Sequence, residues 1–242
     1  MPPRLYVGEP LRANARLSLP EAAARHAQVL RLQPGSDVTL FDGRGGEWAA
    51  RIEAMGKREV TATALQHQAV ERELPWHVTL ALAMPSGERM DFVIEKATEL
   101  GAACIVALTS ERSVLRLAGE RGDKRRAHWQ AIAIAACEQC GRNRVPEVQA
   151  PQPLAAWLGT LNQRAEDEAR WLLGWRGAHP FSDAALAATV LTLSGPEGGF
   201  TADEEALAAA RGFATIGLGA RVLRADTAPL AVMAALSLRA VT

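Results

Sequence analysis

Residues 190–230 read VLTLSGPEGGFTADEEALAAARGFATIGLGARVLRADTAPL and set the architecture of the chain. They hold two glycine-bearing loops, each after a short apolar run and before a helix. Residues 190–193 are β-branched or aliphatic and uncharged, the pattern of a buried strand. Gly195-Pro196-Glu197-Gly198-Gly199 breaks that strand, because glycine adopts backbone angles that side chains forbid. Thr201 stands three residues before Glu204, the capping-box spacing, so a helix is expected from there to about Arg211, with Gly212 as its stop. Residues 213–218 read as a second strand and residues 219–226 as its loop; Thr227, with Pro229 in the first turn, opens the last helix. Strand, loop and helix twice over imply an α/β fold. Ligands of such folds gather outside the carboxyl ends of the strands, so both loops should border one site.

The loop chemistry narrows the ligand. No Gly-Lys-Ser/Thr follows the glycines, so neither is a Walker loop, and the dinucleotide fingerprint with its downstream ribose acid is missing. Glu197 would repel a phosphate. An acid among free backbone amides suits a ligand with positive charge and hydrogen-bonding ring edges. S-adenosylmethionine, with its sulfonium, ammonium and adenine, has that chemistry. The plain alternative is a pair of tight turns with no ligand, although loops so placed often carry function.

Working outward, 242 residues allow one large domain, or a small one plus a medium one, and 48% hydrophobic content is enough for a core. The 27 basic and 27 acidic residues cancel, so global charge announces no nucleic acid. Met-Pro-Pro-Arg carries no apolar signal core and no stretch approaches membrane-spanning length; a cytoplasmic protein without membrane contact is expected. The 3 cysteines make no disulfide framework.

Residues 1–70 read as a small β domain with one helix at residues 21–32, ended by Pro34-Gly35. Strands are expected at 38–41, 47–55 and 59–65, and Trp48, Ala50, Ile52 and Ala54 alternate with polar or small neighbours as in a half-buried strand. Strands this short suggest a compact barrel. Residues 66–75 are polar and end in proline, with the linker proper at 71–75. A second domain, 76–242, starts with an apolar strand at 76–84. A helix at 91–101 and a strand at 104–108 follow, an order that implies parallel pairing. Further strands are expected at 171–173, 190–193 and 213–218, an acidic loop at 164–168, and a small helix at 184–188.

From Arg112 to Arg144 eight basic residues face three acidic ones, a local anion-binding face suited to phosphate. A helix is expected at 126–140, with Trp129, Ile132, Ala133, Ala136, Cys137 and Cys140 on one stripe. Cys137 and Cys140 therefore belong to the buried side; with no second pair and no histidine at ligand spacing, no metal is expected. Glu138 and Arg142 stand four apart near its end, where an ion pair is the simple reading.

GPEGGF at 195–200 followed by LGARVLRADTA at 218–228 resembles the carboxyl-terminal motif pair of the SPOUT RNA methyltransferases. Within them it is similar to the family that methylates N3 of a uridine in 16S ribosomal RNA of the small ribosomal subunit. HAQVLR (26–31), KATELG (96–101), Glu111-Arg112-Ser113 and AACEQCGRNRVP (135–146) match further motifs in order, so the resemblance covers essentially the whole chain. Where that family has Arg-Thr-Glu-Thr-Ala, this chain has Arg224-Ala225-Asp226-Thr227-Ala228, a carboxylate one methylene shorter and one hydroxyl fewer.

The resemblance implies an α/β fold with a deep trefoil knot and a mostly parallel sheet, preceded by a PUA-like RNA-binding β-barrel. It also implies a homodimer packed around the knot. S-adenosylmethionine would then be held by Leu173 and Gly174, by Ser194, Gly195, Pro196, Glu197, Gly198 and Gly199, and by Leu218, Gly219, Arg221, Val222, Leu223, Thr227 and Ala228. RNA would be held by His26, Arg31, Arg112, Arg116, Arg125, Arg126, Arg142 and Arg144. N3 of uridine is protonated and lies on the pairing edge, so the target must be single-stranded or splayed out. A carboxylate would take its proton and an arginine would stabilise the charge left on O2 and O4. Glu138 or Asp226 is the expected base and Arg142 or Arg224 the stabiliser. The alternative function is a non-catalytic RNA-binding factor in ribosome assembly.

Overall fold

The computed structural model describes residues 2–57, 59–86, 89–115, 117, 119–175 and 178–240. They divide into two compact units: Met1–Glu73 with Ile134–Val145, and Leu74–Ala133 with Pro146–Thr242.

In the first unit the elements are β1 (Arg4–Tyr6), β2 (Ala15–Ser18), α1 (Glu21–Val29), β3 (Asp37–Phe41), β4 (Glu47–Met55) and β5 (Val60–Gln68). They form one five-stranded sheet in the order β1-β3-β4-β5-β2, antiparallel except for β1 beside β3. Register shifts at Ala49/Ala50 and Ile52/Ala54 bend the sheet round a core of Leu5, Val38, Leu40, Ile52 and Val60. Three alanines of α1 (Ala23, Ala24 and Ala27) pack into that core. The second shift also explains why Ala54, expected inward, is exposed. Helix α1 stops three residues before its expected end. Arg31 adopts a left-handed φ of 54°, and the Leu32 N–H reaches back to the Ala27 carbonyl at 3.1 Å. That Schellman closure ends the helix ahead of the Pro34-Gly35 signal.

Residues 71–73, expected as linker, instead supply a strip of charged partners within this unit. Glu71 meets Arg144, Arg72 donates to the Gly141 carbonyl at 2.8 Å and Glu73 holds Arg142.

The second unit is built from β6 (His77–Ala83), α2 (Arg89–Glu99), β7 (Cys104–Thr109), α3 (Gly119–Cys140), β8 (Glu147–Pro153), α4 (Leu154–Thr160), β9 (Glu168–Leu173), β10 (His179–Pro180), β11 (Thr189–Ser194), α5 (Ala202–Ala210), β12 (Ala214–Gly217) and α6 (Thr227–Arg239). The last turns of α3 fall in the first unit. Seven strands, every pair parallel, lie in the order β10-β12-β9-β11-β6-β7-β8. Uncharged runs such as β7 are buried because helices cover a parallel sheet. Leu154, Trp157, Leu158, Phe200 and Phe213 pack with Leu108, Leu172 and Leu193 in one cluster. β12 is last in sequence yet lies between β9 and β10 in the sheet.

Three local expectations change. Helix α3 begins at Gly119, seven residues early, because its first two turns are almost wholly exposed and show no apolar period. Residues 184–188 form no helix; a 3-10 turn at Phe181–Asp183 stands just before them. So short a run does not recover the cost of helix nucleation. Strand β8, with Pro151 and Pro153, was hidden by its prolines; it lies at the sheet edge, where a missing N–H is tolerated. No helix among the described residues is long and apolar enough to cross a membrane.

Candidate active site

Parallel register brings the site together. Ser194 lies opposite both Leu82 of β6 and Leu173 of β9, and Leu173 opposite Ile216 of β12. Four strands therefore end on one level, and their loops leave from one edge of the sheet.

The first glycine loop is braced from several sides. Gly199 has a φ of 68° and its N–H reaches the Pro196 carbonyl at 2.8 Å. A Cβ on Gly195 would stand 3.2 Å from the Phe200 backbone nitrogen, a tight contact that the loop would have to shift to accept. The expected capping box is present, with Thr201 accepting from the Glu204 N–H and Glu204 from the Thr201 N–H. Glu204 also accepts the Glu111 N–H at 2.8 Å. Arg112, expected on RNA, donates to the Gly198 carbonyl at 2.9 Å. A Cβ on Gly198 would lie 3.4 Å from that side chain, at van der Waals contact. The Ser194 hydroxyl is buried at the mouth of this loop and has no hydrogen-bond partner among the described residues.

The second loop borders a cleft lined by Leu173, Gly174, Leu218, Gly219, Arg221, Val222, Leu223 and Ala228. All eight belong to the expected cofactor set; Trp175 also lines it, 65% exposed, and was missed. Gly219, at a φ of 100°, would set an added Cβ in open space, so bare backbone faces the opening. Thr227 is exposed and bonded to Asp226.

Charge converges on the same edge. Glu197 accepts the Ser86 N–H at 3.1 Å and the Ser86 hydroxyl at 2.8 Å. Burial pushes its carboxyl up, but those bonds, its own N–H and the Arg89 charge outweigh burial and hold it below its ordinary value. Arg89, the first residue of α2, stands 3.6 Å from Glu197 and 3.9 Å from Asp226. Asp226 is the N-cap residue of α6 yet makes no capping bond; its carboxylate accepts the Thr227 hydroxyl and faces Arg89. Arg224 is exposed beside it. Sequence reading missed Arg89 and Ser86, although a Pro-Ser-Gly turn at the carboxyl end of an apolar strand was a usable signal.

Glu138 and Arg142 belong to the first unit, apart in the chain division from Arg224 and Asp226. Their partners are not each other's side chains at helical spacing. Glu138 accepts the Tyr6 N–H at 2.9 Å and meets the His26 ring nitrogen at 2.9 Å. Arg142 is only 3% exposed and makes a two-pronged pair with Glu73, one arm at 3.0 Å. Beside it Arg4 bonds Glu47 at 2.6 Å, and the Asn143 amide bonds the same carboxylate at 3.2 Å. Arg144 is exposed but engaged by Glu71 at 2.7 Å. Arg31 is exposed, as are Arg125 and Arg126 on α3; Arg116 lies outside the described residues. Among the described residues no three or more potential metal-ligating side chains gather.

Comparison with known proteins matches residues 72–237 to an RNA methyltransferase domain and residues 19–65 to an RNA methyltransferase PUA domain. The ribosomal RNA small subunit methyltransferase E of Synechocystis sp. is 35% identical over 239 residues, covering 96% of this chain and 76% of its own length. The crystal structure of that enzyme from Neisseria gonorrhoeae, bound to S-adenosyl methionine, matches with a TM-score of 0.91 at 36% identity, covering 99% of this chain and 98% of its own. A methyltransferase of Legionella pneumophila in complex with the same cofactor matches with a TM-score of 0.92 at 34% identity, again covering 99% and 98%.

Proposed function

The chain belongs to the ribosomal RNA small subunit methyltransferase E family, and on that premise we propose that it methylates N3 of a uridine in 16S ribosomal RNA, using S-adenosylmethionine and working as a homodimer. The observation that carries this reading is the Ser194 hydroxyl, buried where the loop after β11 begins and without a partner among the described residues. A buried donor without a partner is costly, and a polar ligand repairs the defect. The backbone of Gly219, facing open space, supplies the bare surface such a ligand needs. These features suit S-adenosylmethionine, held by Leu173, Gly174, Ser194 and the loop from Leu218 to Leu223.

The cofactor supplies an electrophilic methyl carbon. The protein has to present N3 in line with it and remove the N3 proton. Asp226 is the better base of the two carboxylates. It makes no capping bond and, among the described residues, accepts only the exposed Thr227 hydroxyl at 3.3 Å, with Arg89 at 3.9 Å, whereas both oxygens of Glu138 are committed to Tyr6 and His26 within the first unit. A placed base contributes about 10²–10⁴-fold. The rest comes from alignment of the reacting atoms. Calorimetry with S-adenosylmethionine, followed by mass spectrometry of nucleosides from methylated 16S RNA, tests both halves. Micromolar binding and 3-methyluridine are expected; no binding, or a methyl group at another position, defeats the reading.

A further inference from the structure

Arg89 occupies a position that charge alone does not favour. It opens α2, at the end of a helix where the partial charge is positive and a cation is disfavoured. Two carboxylates from other loops compensate it: Glu197 after β11 and Asp226 before α6. Yet 3.6 Å and 3.9 Å are both beyond hydrogen-bonding distance, and its side chain is 38% exposed. Glu197, by contrast, is fastened to Ser86 by two hydrogen bonds, so one side of the arrangement is fixed. The guanidinium is thus held near the site by charge, with its planar fork of donors open to a substrate oxygen.

Resting on the N3-uridine reading above, we infer that Arg89 is a catalytic residue that takes up the negative charge of the target base. The proton count supports the assignment. The N3–H bond breaks as a bond from hydrogen to an Asp226 carboxylate oxygen forms. The electron pair left on N3 makes the bond to the methyl carbon, and the carbon–sulfur pair departs with sulfur. During the proton transfer Asp226 becomes neutral and the uracil ring becomes anionic. Arg89 loses one counter-charge and gains another a few ångströms away. Its partnership passes from Asp226 to a uracil oxygen, and the net charge of the three groups is unchanged. No other cation has to be brought in, and Arg142, buried against Glu73, is released from that task.

The test is single-turnover methylation by Arg89→Gln and Arg89→Lys at saturating RNA and cofactor, across pH. Arg89→Gln is expected to react about 10²-fold more slowly, the scale of losing one such donor, with RNA and cofactor affinities within a few-fold of wild type. Its deficit should shrink as pH rises, because N3 then ionises unaided. It should shrink again on RNA carrying 5-fluorouridine at the target, whose N3 is more acidic. Arg89→Lys should fall between the two. A deficit equal at every pH and on both RNAs marks a merely structural role and overturns the inference. So does a loss confined to RNA affinity, which would mark a phosphate contact. The position of the methyl group in the wild-type product keeps the two proposals apart. A product other than 3-methyluridine sinks the underlying reading, whereas 3-methyluridine made at full rate by Arg89→Gln sinks Arg89 alone.

Discussion

The Nδ1 of His26 and the Oε2 of Glu138 lie 2.9 Å apart, joining α1 to the last turn of α3. The other oxygen of Glu138 accepts the Tyr6 N–H from β1. One carboxylate therefore ties three elements of the first unit together. Glu138→Ala leaves a part-buried N–H without its acceptor, and a loss of about 1–3 kcal/mol in unfolding free energy is expected. Glu138→Gln keeps an acceptor and should lose less. Urea denaturation gives the stabilities. If both variants kept wild-type stability but lost methyl transfer, Glu138 would return as the base.

Buried Arg142 and half-buried Glu73 form a two-pronged ion pair. Removing one partner strands the other, so Arg142→Met should cost about 3–5 kcal/mol. The double change Arg142→Met with Glu73→Leu should recover most of that, since no lone charge is then left buried. Equilibrium unfolding of the single and double variants measures the difference. A double variant as unstable as the single would show that Arg142 works through its other neighbours.

Ser194→Ala separates folding from ligand binding. Its hydroxyl has no partner among the described residues, so the substitution should leave the melting temperature unchanged or slightly raised. Affinity for S-adenosylmethionine should fall by roughly 2–10-fold, the worth of one hydrogen bond. Calorimetry on the two proteins decides; unchanged affinity would mean that the hydroxyl faces no ligand.

Three carboxyls are held below their ordinary value of 4.5: Glu47, Glu71 and Glu197. Burial pushes each up, but hydrogen bonds prevail, from Arg72, Arg4 and Asn143 for Glu47 and from Arg144 and Gly46 for Glu71. Below 4.5 the unfolded chain binds protons that the folded one does not, so stability rises with pH there. The stabilisation is complete above 4.5 and is lost as acid carries each group through its lowered folded value. Glu47→Gln should flatten the acid limb of stability against pH and leave the neutral limb flat. An unchanged acid limb would assign the effect to other groups.

Arg125 stands exposed on α3 and suits a phosphate contact. Arg125→Ala should weaken RNA binding and lower the slope of log affinity against log salt by about 0.7–0.9. The single-turnover rate at saturating RNA should not change. A lower rate with an unchanged salt slope would remove Arg125 from the phosphate contacts.

Local order was legible in the amino-acid sequence because its signals act over a few residues. The capping box at Thr201 and Glu204, the stop at Gly212 and the strand–loop–helix repeat all appear as read. The expected stripe is buried at Trp129, Ala133, Ala136 and Cys137, while Ile132 and Cys140 are only half-buried. Elements whose signal was weak or contradictory were lost: the exposed start of α3 has no apolar period, and β8 carries prolines that only an edge strand tolerates. The glycine loops pointed to a cleft, and eight of the residues expected at the cofactor line one.

Charge partnership was decided by the tertiary structure alone. Four residues separate Glu138 from Arg142, and helical spacing made them natural partners. Folding instead gives Glu138 the Tyr6 N–H, 132 residues away, and gives Arg142 the carboxylate of Glu73, 69 residues away. Ser86 meets Glu197 across 111 residues, and that contact sets Arg89 among the acids of the site. Periodicity and capping follow from the backbone geometry of one segment, so a linear reading recovers them. Which guanidinium is buried and which stays open to a substrate depends on the strands that register brings level and on the groups desolvated between them; no local window of the chain contains that information.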